Sequence, residues 1–260
     1  MAELVDAVVV VTGGASGVGR ALAREAARRG ADVVVVDVED TAETTELIAA
    51  AGGRARGLRG DVRDLDELRA LAAEIGRVDV VCPNAGTGVS ADVDHTTTED
   101  FRRILDVNVV GVFHTVQAFL PALRHTRSAG RPAAVLITGS EHSLGVPWHV
   151  QAQTAYTTSK HALLGFAACL RRDLADDGIA VSLLCPGFVR TEKLLGYATA
   201  RADVAEMLEK YGQDSDEVAR LALDGLADAP LVIPTNPVTR DFALDFHRDV
   251  IDAVEKALPK

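Results

Sequence analysis

The chain has 260 residues, with 27 Lys and Arg against 38 Asp and Glu, a formal net charge of -11, and apolar residues near half of the total. An acidic balance excludes nucleic acid as the main partner, since phosphate neutralisation needs a basic surface, and it suits small-molecule chemistry. No apolar run reads as a membrane span and the acidic start Met1 to Asp6 lacks a secretory signal, so a cytoplasmic protein with no membrane partner is expected; the scattered Cys82, Cys169 and Cys185 read as small buried hydrophobes.

In chain order, an apolar run from Ala7 to Val11 is followed by a Gly-rich turn, a helical pattern from Val18 to Arg29 and a second apolar run from Val33 to Val36. This is a strand–helix–strand unit. Helices are then expected at Ala42 to Ala51 and Leu65 to Ile75, with a weakly patterned strand between them at Arg54 to Arg59. A strand at Val78 to Cys82, a long helix from Glu99 to Leu123 and a strand at Ala133 to Thr138 follow. Next come a helix from Ala155 to Ala175 and a strand at Ile179 to Cys185. Strands alternating with helices imply a parallel sheet covered on both faces. From Arg190 to Asp214 the sheet pattern lapses into one or two short helices, an excursion of the kind that forms a substrate lid. Leu231 to Ile233 reads as an edge strand ended by Pro234, and Phe242 to Leu258 as a closing helix. No linker or repeat divides the chain, so residues 1 to 260 are read as one domain.

Thr12 to Gly19, T-G-G-A-S-G-V-G, leads from the first strand directly into a helix. Gly13, Gly17 and Gly19 let the backbone turn sharply, and Ser16 and Val18 stand where free helix N–H groups favour a pyrophosphate. Asp37 ends the second strand, where a carboxylate accepts hydrogen bonds from ribose hydroxyls and repels a 2′-phosphate. No Arg or Lys stands at Ala15, Ser16 or Val38 to offset that repulsion, so the expected cofactor is NAD rather than NADP. Tyr156 and Lys160, four apart in Y-T-T-S-K, project from one helix face. An ammonium beside a phenol stabilises the phenolate, so this Tyr is expected to exchange protons nearer neutrality than its ordinary pKa of ~10.

The glycine turn, Asn84-Ala85-Gly86 after the fourth strand, and Tyr156-x-x-x-Lys160 together resemble the short-chain dehydrogenase/reductase family, from the first strand to about Thr191. The resemblance implies a Rossmann-type doubly wound α/β fold, a mainly parallel sheet of about seven strands. It implies Tyr156 as general acid and base, and Lys160 as its activator and a ligand of the nicotinamide ribose. Ser140 is implied as the substrate-orienting serine, and Asn108 as the helix-interrupting residue whose carbonyl holds a water against the lysine. Asp61 and Val62 are implied at the adenine, Asn84, Ala85 and Gly86 at the pocket floor, and Pro186, Gly187, Val189 and Thr191 around the carboxamide. It also implies pairing between subunits through the helices at 99 to 123 and 155 to 175, hence a homodimer or homotetramer.

Three departures stand out. Cys82-Pro83 precede Asn84 where the family commonly has another Asn, whose hydrogen bonds must be replaced or lost. Spacing to the tyrosine favours Ser143 as the substrate serine, whereas the strand end favours Ser140, which is the choice made here. The 141 to 153 loop, E-H-S-L-G-V-P-W-H-V-Q-A-Q, is unusually polar: Glu141, His142, Trp148 and His149 stand either to meet a polar substrate group or in a solvated loop. Their spacing does not point to a metal, and none is expected. The leading reading is an NAD-dependent oxidoreductase interconverting a secondary alcohol and a ketone. The alternatives are an epimerase or dehydratase using the same nucleotide, and a catalytically idle NAD-binding regulator.

Overall fold

A computed structural model describes residues 4–151 and 153–258. Met1 to Glu3 of the acidic start, Ala152 of the polar loop, and Pro259 and Lys260 at the end of the expected domain lie outside the described residues. The elements are β1 (Val8–Thr12), α1 (Gly17–Arg28), β2 (Asp32–Asp37), α2 (Ala42–Ala50), β3 (Arg54–Arg59), α3 (Leu65–Ile75) and β4 (Val80–Cys82). They continue with α4 (Thr98–Leu105), α5 (Gly111–Ser128), β5 (Ala134–Thr138), α6 (Thr154–Asp173) and β6 (Ala180–Cys185). Last come α7 (Glu192–Ala198), α8 (Ala202–Tyr211), α9 (Ser215–Gly225), β7 (Val232–Pro234) and α10 (Thr239–Ala257).

The seven strands form one parallel sheet in the order β3-β2-β1-β4-β5-β6-β7. Valines dominate its centre because β-branched side chains pack well on a pleated surface buried on both sides. Alternation divides them: Val9 and Val11 face a core shared with α1 and α9, and Val10 faces one shared with α3, α5 and α6. Strand order reverses between β1 and β4, which opens a crevice beyond the carboxyl ends of the strands, where such sheets place their ligands.

Several boundaries depart from the sequence expectation. The helix expected at 99 to 123 runs from Thr98, passes a π-helical turn at Asp106–Val110, and continues through Pro121 to Ser128. An 18-residue window within its 31 residues reaches a mean hydropathy of 1.3, long and apolar enough to cross a membrane by length and composition only. In this fold its apolar residues Val112, Val116, Phe119 and Leu123 pack under the sheet. The fourth strand is shorter than expected because Asp79 leaves it to accept a hydrogen bond from the Val8 N–H and to pair with Arg131. Helix α9, unread in the sequence, starts where Asp214 accepts from the N–H groups of Asp216 and Glu217. It lies against α1, and Arg29, buried, bridges the two through Glu25 and Asp224. Cys82 and Cys185 are buried, with thiols pushed up to about 12 by burial, but Cys169 is exposed on α6 rather than in the core.

The edge strand β3 is polar and mostly exposed. Arg54 pairs with Asp32 of β2 and Arg56 with Glu74 of α3, while only Ala55 and Leu58 lean on the cores. At the other edge, β7 has three residues and ends in Pro234.

Candidate active site

The crevice is a cavity of about 1660 Å³, and every residue expected to touch a dinucleotide lines it. Ser140, Tyr156 and Lys160 line it too, whereas Asn108 stands behind the wall.

At the nucleotide end, β1 turns into α1 at Gly13 and Gly17, both with positive φ. A Cβ at Gly13 would lie 2.6 Å from the Ala85 Cα, and one at Gly19 only 2.1 Å from the Gly13 carbonyl oxygen. Asn84 closes the floor: its Nδ2 donates to the carbonyls of Thr12 (3.1 Å) and Gly13 (3.0 Å), and its N–H donates to the Thr12 hydroxyl. The preceding Pro83 offers its carbonyl to the Thr138 N–H (2.9 Å), which extends the pairing of β4 with β5. Asp37 is partly committed, since its Oδ2 accepts from the Ala15 N–H (2.9 Å) and its Oδ1 from the Glu39 N–H. Arginine does reach this corner. Arg20 donates to the Ala15 carbonyl and is held between Glu43 and Glu192. Glu192, the first residue of α7, also accepts from the Gly17 N–H at 2.9 Å, so a carboxylate sits on the positive end of α1. Asp61 is gripped by Arg63, which lowers its carboxyl pKa.

At the other end, Lys160 is buried and its Nζ donates to the Thr138 carbonyl at 3.0 Å, 5.6 Å from the centroid of the Tyr156 ring. Burial pushes this amine down to about 8. The Tyr156 phenol is shifted upward, contrary to the sequence expectation. Burial dominates and Glu141 adds to it, while the Ser140 hydroxyl pulls the other way. Lys160 lies over the ring rather than against the hydroxyl, so it does not reverse the shift. Asn108 sits in the π-helical turn, where Oδ1 accepts from the Thr87 N–H and Nδ2 donates to the Thr87 carbonyl (both 2.8 Å) and to the Ser159 hydroxyl (3.0 Å). It thereby ties the loop after β4 to the residue beside Lys160. Ser140 and Ser143 separate clearly in space. Ser140 faces the cavity, and fully buried Ser143 lies behind it, its Oγ accepting from the Ser140 N–H.

This arrangement agrees with what comparison finds. Residues 7–202 match the family model for short chain dehydrogenases. The chain belongs to the short-chain dehydrogenase/reductase family. It is 34% identical over 207 residues to an uncharacterized oxidoreductase of Thermotoga maritima, covering 78% of this chain and 80% of that one. A short-chain dehydrogenase/reductase from Burkholderia phymatum, solved with NAD, superposes with a TM-score of 0.86 at 28% identity over 97% of both chains. A putative 2-deoxy-D-gluconate 3-dehydrogenase from Agrobacterium tumefaciens, solved with NADP, gives 0.78 at 26% identity over 90% of this chain and 96% of that one.

Other residues of this family member escaped the sequence reading. Gln213 is a hub: its Oε1 accepts from the Gly187 N–H and the Thr235 hydroxyl, and its Nε2 donates to the Thr235 carbonyl. It fixes Pro186 to Val189 from the far end of the excursion, and an isolated Gln carries no local signal of that. Glu192 and Arg20 meet across 172 positions, beyond the reach of any motif. The 141 to 153 loop is not the solvated loop offered as one reading: Glu141, His142 and His149 are all buried, and of the four polar or aromatic residues singled out only Trp148 is exposed.

Proposed function

We propose that the protein is an NAD-dependent oxidoreductase that interconverts a secondary alcohol and a ketone, in one domain whose 190–214 segment closes over the substrate. The observation that carries this reading is the convergence of Ser140, Tyr156 and Lys160 on one cavity whose far end is a glycine cradle beside Asp37. The residues fit a dinucleotide. The cradle leaves no room for a Cβ at Gly13 or Gly19, and the Glu192 carboxylate on the Gly17 N–H is a stand-in for a phosphate oxygen.

When bound, the dinucleotide takes or supplies the hydride. Tyr156 gives a proton to the carbonyl oxygen in reduction and takes one from the alcohol in oxidation. Ser140 orients that oxygen by hydrogen bonding. Lys160 holds the nicotinamide ribose and keeps positive charge beneath the phenol. Asn108 acts through others, fixing the Thr87 loop and Ser159 beside Lys160, and its backbone carbonyl is proposed to hold a proton-relay water. Asp61 and Val62 flank the adenine, Asn84 to Gly86 form the floor, and Pro186 to Thr191 receive the carboxamide.

NAD is favoured over NADP because Asp37 faces the ribose site while the nearby arginine, Arg20, is neutralised by Glu43 and Glu192. Titration with NADH and NADPH by fluorescence is expected to show tighter NADH binding. A panel of secondary alcohols with NAD is then expected to raise the reduced-nicotinamide absorbance in step with ketone formed. Tight NADH binding without any stoichiometric absorbance change would overturn the reading. Glu192 competes with the pyrophosphate for the α1 N-terminus, so Glu192→Gln is expected to tighten NADH binding about two- to fivefold. An unchanged or weaker Kd would mean that the contact does not resist the nucleotide.

The protein is proposed to work in the cytoplasm as a homodimer or homotetramer. Val110, at the end of the π-helical turn, and Phe113 of α5 are exposed, and the Phe113 ring meets Phe166 of α6 edge-on at 6.3 Å, an apolar patch suited to a second copy. Phe113→Asp is expected to yield a smaller species by light scattering. An unchanged mass would place the interface elsewhere.

A further inference from the structure

His142 stands among the groups assigned to the reacting oxygen and has no part in the proton transfer. Its backbone N–H donates to the Ser140 hydroxyl oxygen at 3.3 Å, and its ring meets the Tyr156 ring edge-on at 5.2 Å between centroids. The residue is 5% exposed and lines the cavity. Its two ring nitrogens differ. Nδ1 lies 2.8 Å from the Thr157 hydroxyl oxygen. Nε2 has no partner among the described residues, yet it is not sealed away from solvent as both nitrogens of His149 are. The part of this side chain that stays open therefore includes Nε2, at the cavity surface.

Which nitrogen carries the proton follows from Thr157, on the second turn of α6. Its hydroxyl has no other partner among the described residues, neither a carbonyl of its own helix nor a side chain. The arrangement that uses every donor is hydroxyl to Nδ1, so the proton is assigned to Nε2, which becomes a donor facing the cavity. The imidazole stays neutral, because burial, and then the neighbouring His149, His161 and Lys160, push it down to about 3. A neutral donor suits a carbonyl oxygen. A carboxylate asks for a cation, which this imidazole does not become, and an apolar substituent leaves a buried N–H unpaired.

We infer that His142 sets specificity by donating from Nε2 to a second, uncharged oxygen of the substrate, so that the substrates are dicarbonyl compounds rather than simple ketones. This rests on the oxidoreductase reading above. One carbonyl takes the hydride at carbon and the Tyr156 proton at oxygen, giving a hydroxy ketone, while the other is only held. The test measures kcat/KM of the full-length protein with NADH for two matched pairs, diacetyl against methyl isopropyl ketone and acetylacetone against methyl isobutyl ketone. In each pair a methyl replaces the second carbonyl oxygen. In His142→Phe the dicarbonyl-to-monoketone ratio of at least one pair is expected to fall by about five- to hundredfold, since that oxygen loses its donor. The greater intrinsic reactivity of a dicarbonyl cancels in this comparison, and a merely structural role for His142 would slow both members of a pair alike. His142→Gln, which keeps an N–H, is expected to restore part of the ratio, and Thr157→Val, which frees the proton to move to Nδ1, to lower it. Nitrogen NMR of the nucleotide-free protein, which needs no turnover, is expected to find the His142 proton on Nε2. Ratios unmoved in both pairs by folded His142→Phe, pyruvate preferred to diacetyl, or a proton on Nδ1 overturns the donor role and leaves the oxidoreductase reading standing. Bound NADH with no turnover of any of these ketones, or of the alcohol panel, overturns the oxidoreductase reading and the role of His142 with it.

Discussion

Replacing Tyr156 by phenylalanine is expected to lower kcat by about 10²- to 10⁴-fold, the range that a well-placed acid or base contributes, while leaving the Kd for NADH within about twofold. The change removes one oxygen and keeps the ring that packs edge-on against His142 and lies near the Lys160 ammonium. Neither the glycine cradle nor the Asn84 floor touches that oxygen. A structural role for the tyrosine would show as lost stability with retained turnover. The proposed role predicts the reverse, and stopped-flow hydride transfer together with a nucleotide titration separates them. A variant turning over at the original rate would remove Tyr156 from the mechanism.

Lys160→Met is expected to abolish most turnover and yet to stabilise the fold at neutral pH. Burial brings the Lys160 amine from its ordinary 10.5 down to about 8. At about 1.4 kcal/mol per pH unit, the folded protein therefore holds its ammonium at a cost of about 3 kcal/mol relative to the unfolded chain. The hydrogen bond to Thr138 contributes about 1.5 kcal/mol in return, so methionine, close in shape and without charge, should gain about 1 to 2 kcal/mol. The sign follows from proton uptake. Below pH 8 both states carry the proton and the penalty is complete; between pH 8 and 10.5 the folded state releases it first and the penalty shrinks; above 10.5 it is gone. The original protein should thus become more stable relative to the variant as pH rises through that window. Urea unfolding of both proteins at pH 7 and pH 10 reads the difference directly. A variant less stable at pH 7 would mean that the ammonium holds the fold together rather than burdening it.

What was legible in the sequence was whatever depends on neighbours in the chain. Gly13, Gly17 and Gly19 mark a turn by their own conformational freedom, Asp37 by its place at a strand end, and Tyr156 and Lys160 by helical spacing. Residues whose meaning comes from distant partners were not legible. Glu141 and His149 look solvated in a row of polar letters, and are buried because Thr239 and Phe242, nearly a hundred positions later, close over them. The upward shift of the Tyr156 phenol follows from the same cause, since a sequence shows which cation is near but not how much water is gone. Counting pointed to Ser143 and the strand end to Ser140, and the two are told apart only by the tight turn that folds Ser143 behind Ser140.

The two ends of the sheet carry a consequence for what the chain does when it is crowded. Its long outer strand presents arginines at 54, 56 and 59, so a second chain laid alongside it would stack like charges. Its other end offers three residues, one of them a proline that has no N–H to give. Neither border is a template on which strands from other copies can add one after another, so the folded protein resists the open-ended growth that ends in cross-β fibrils.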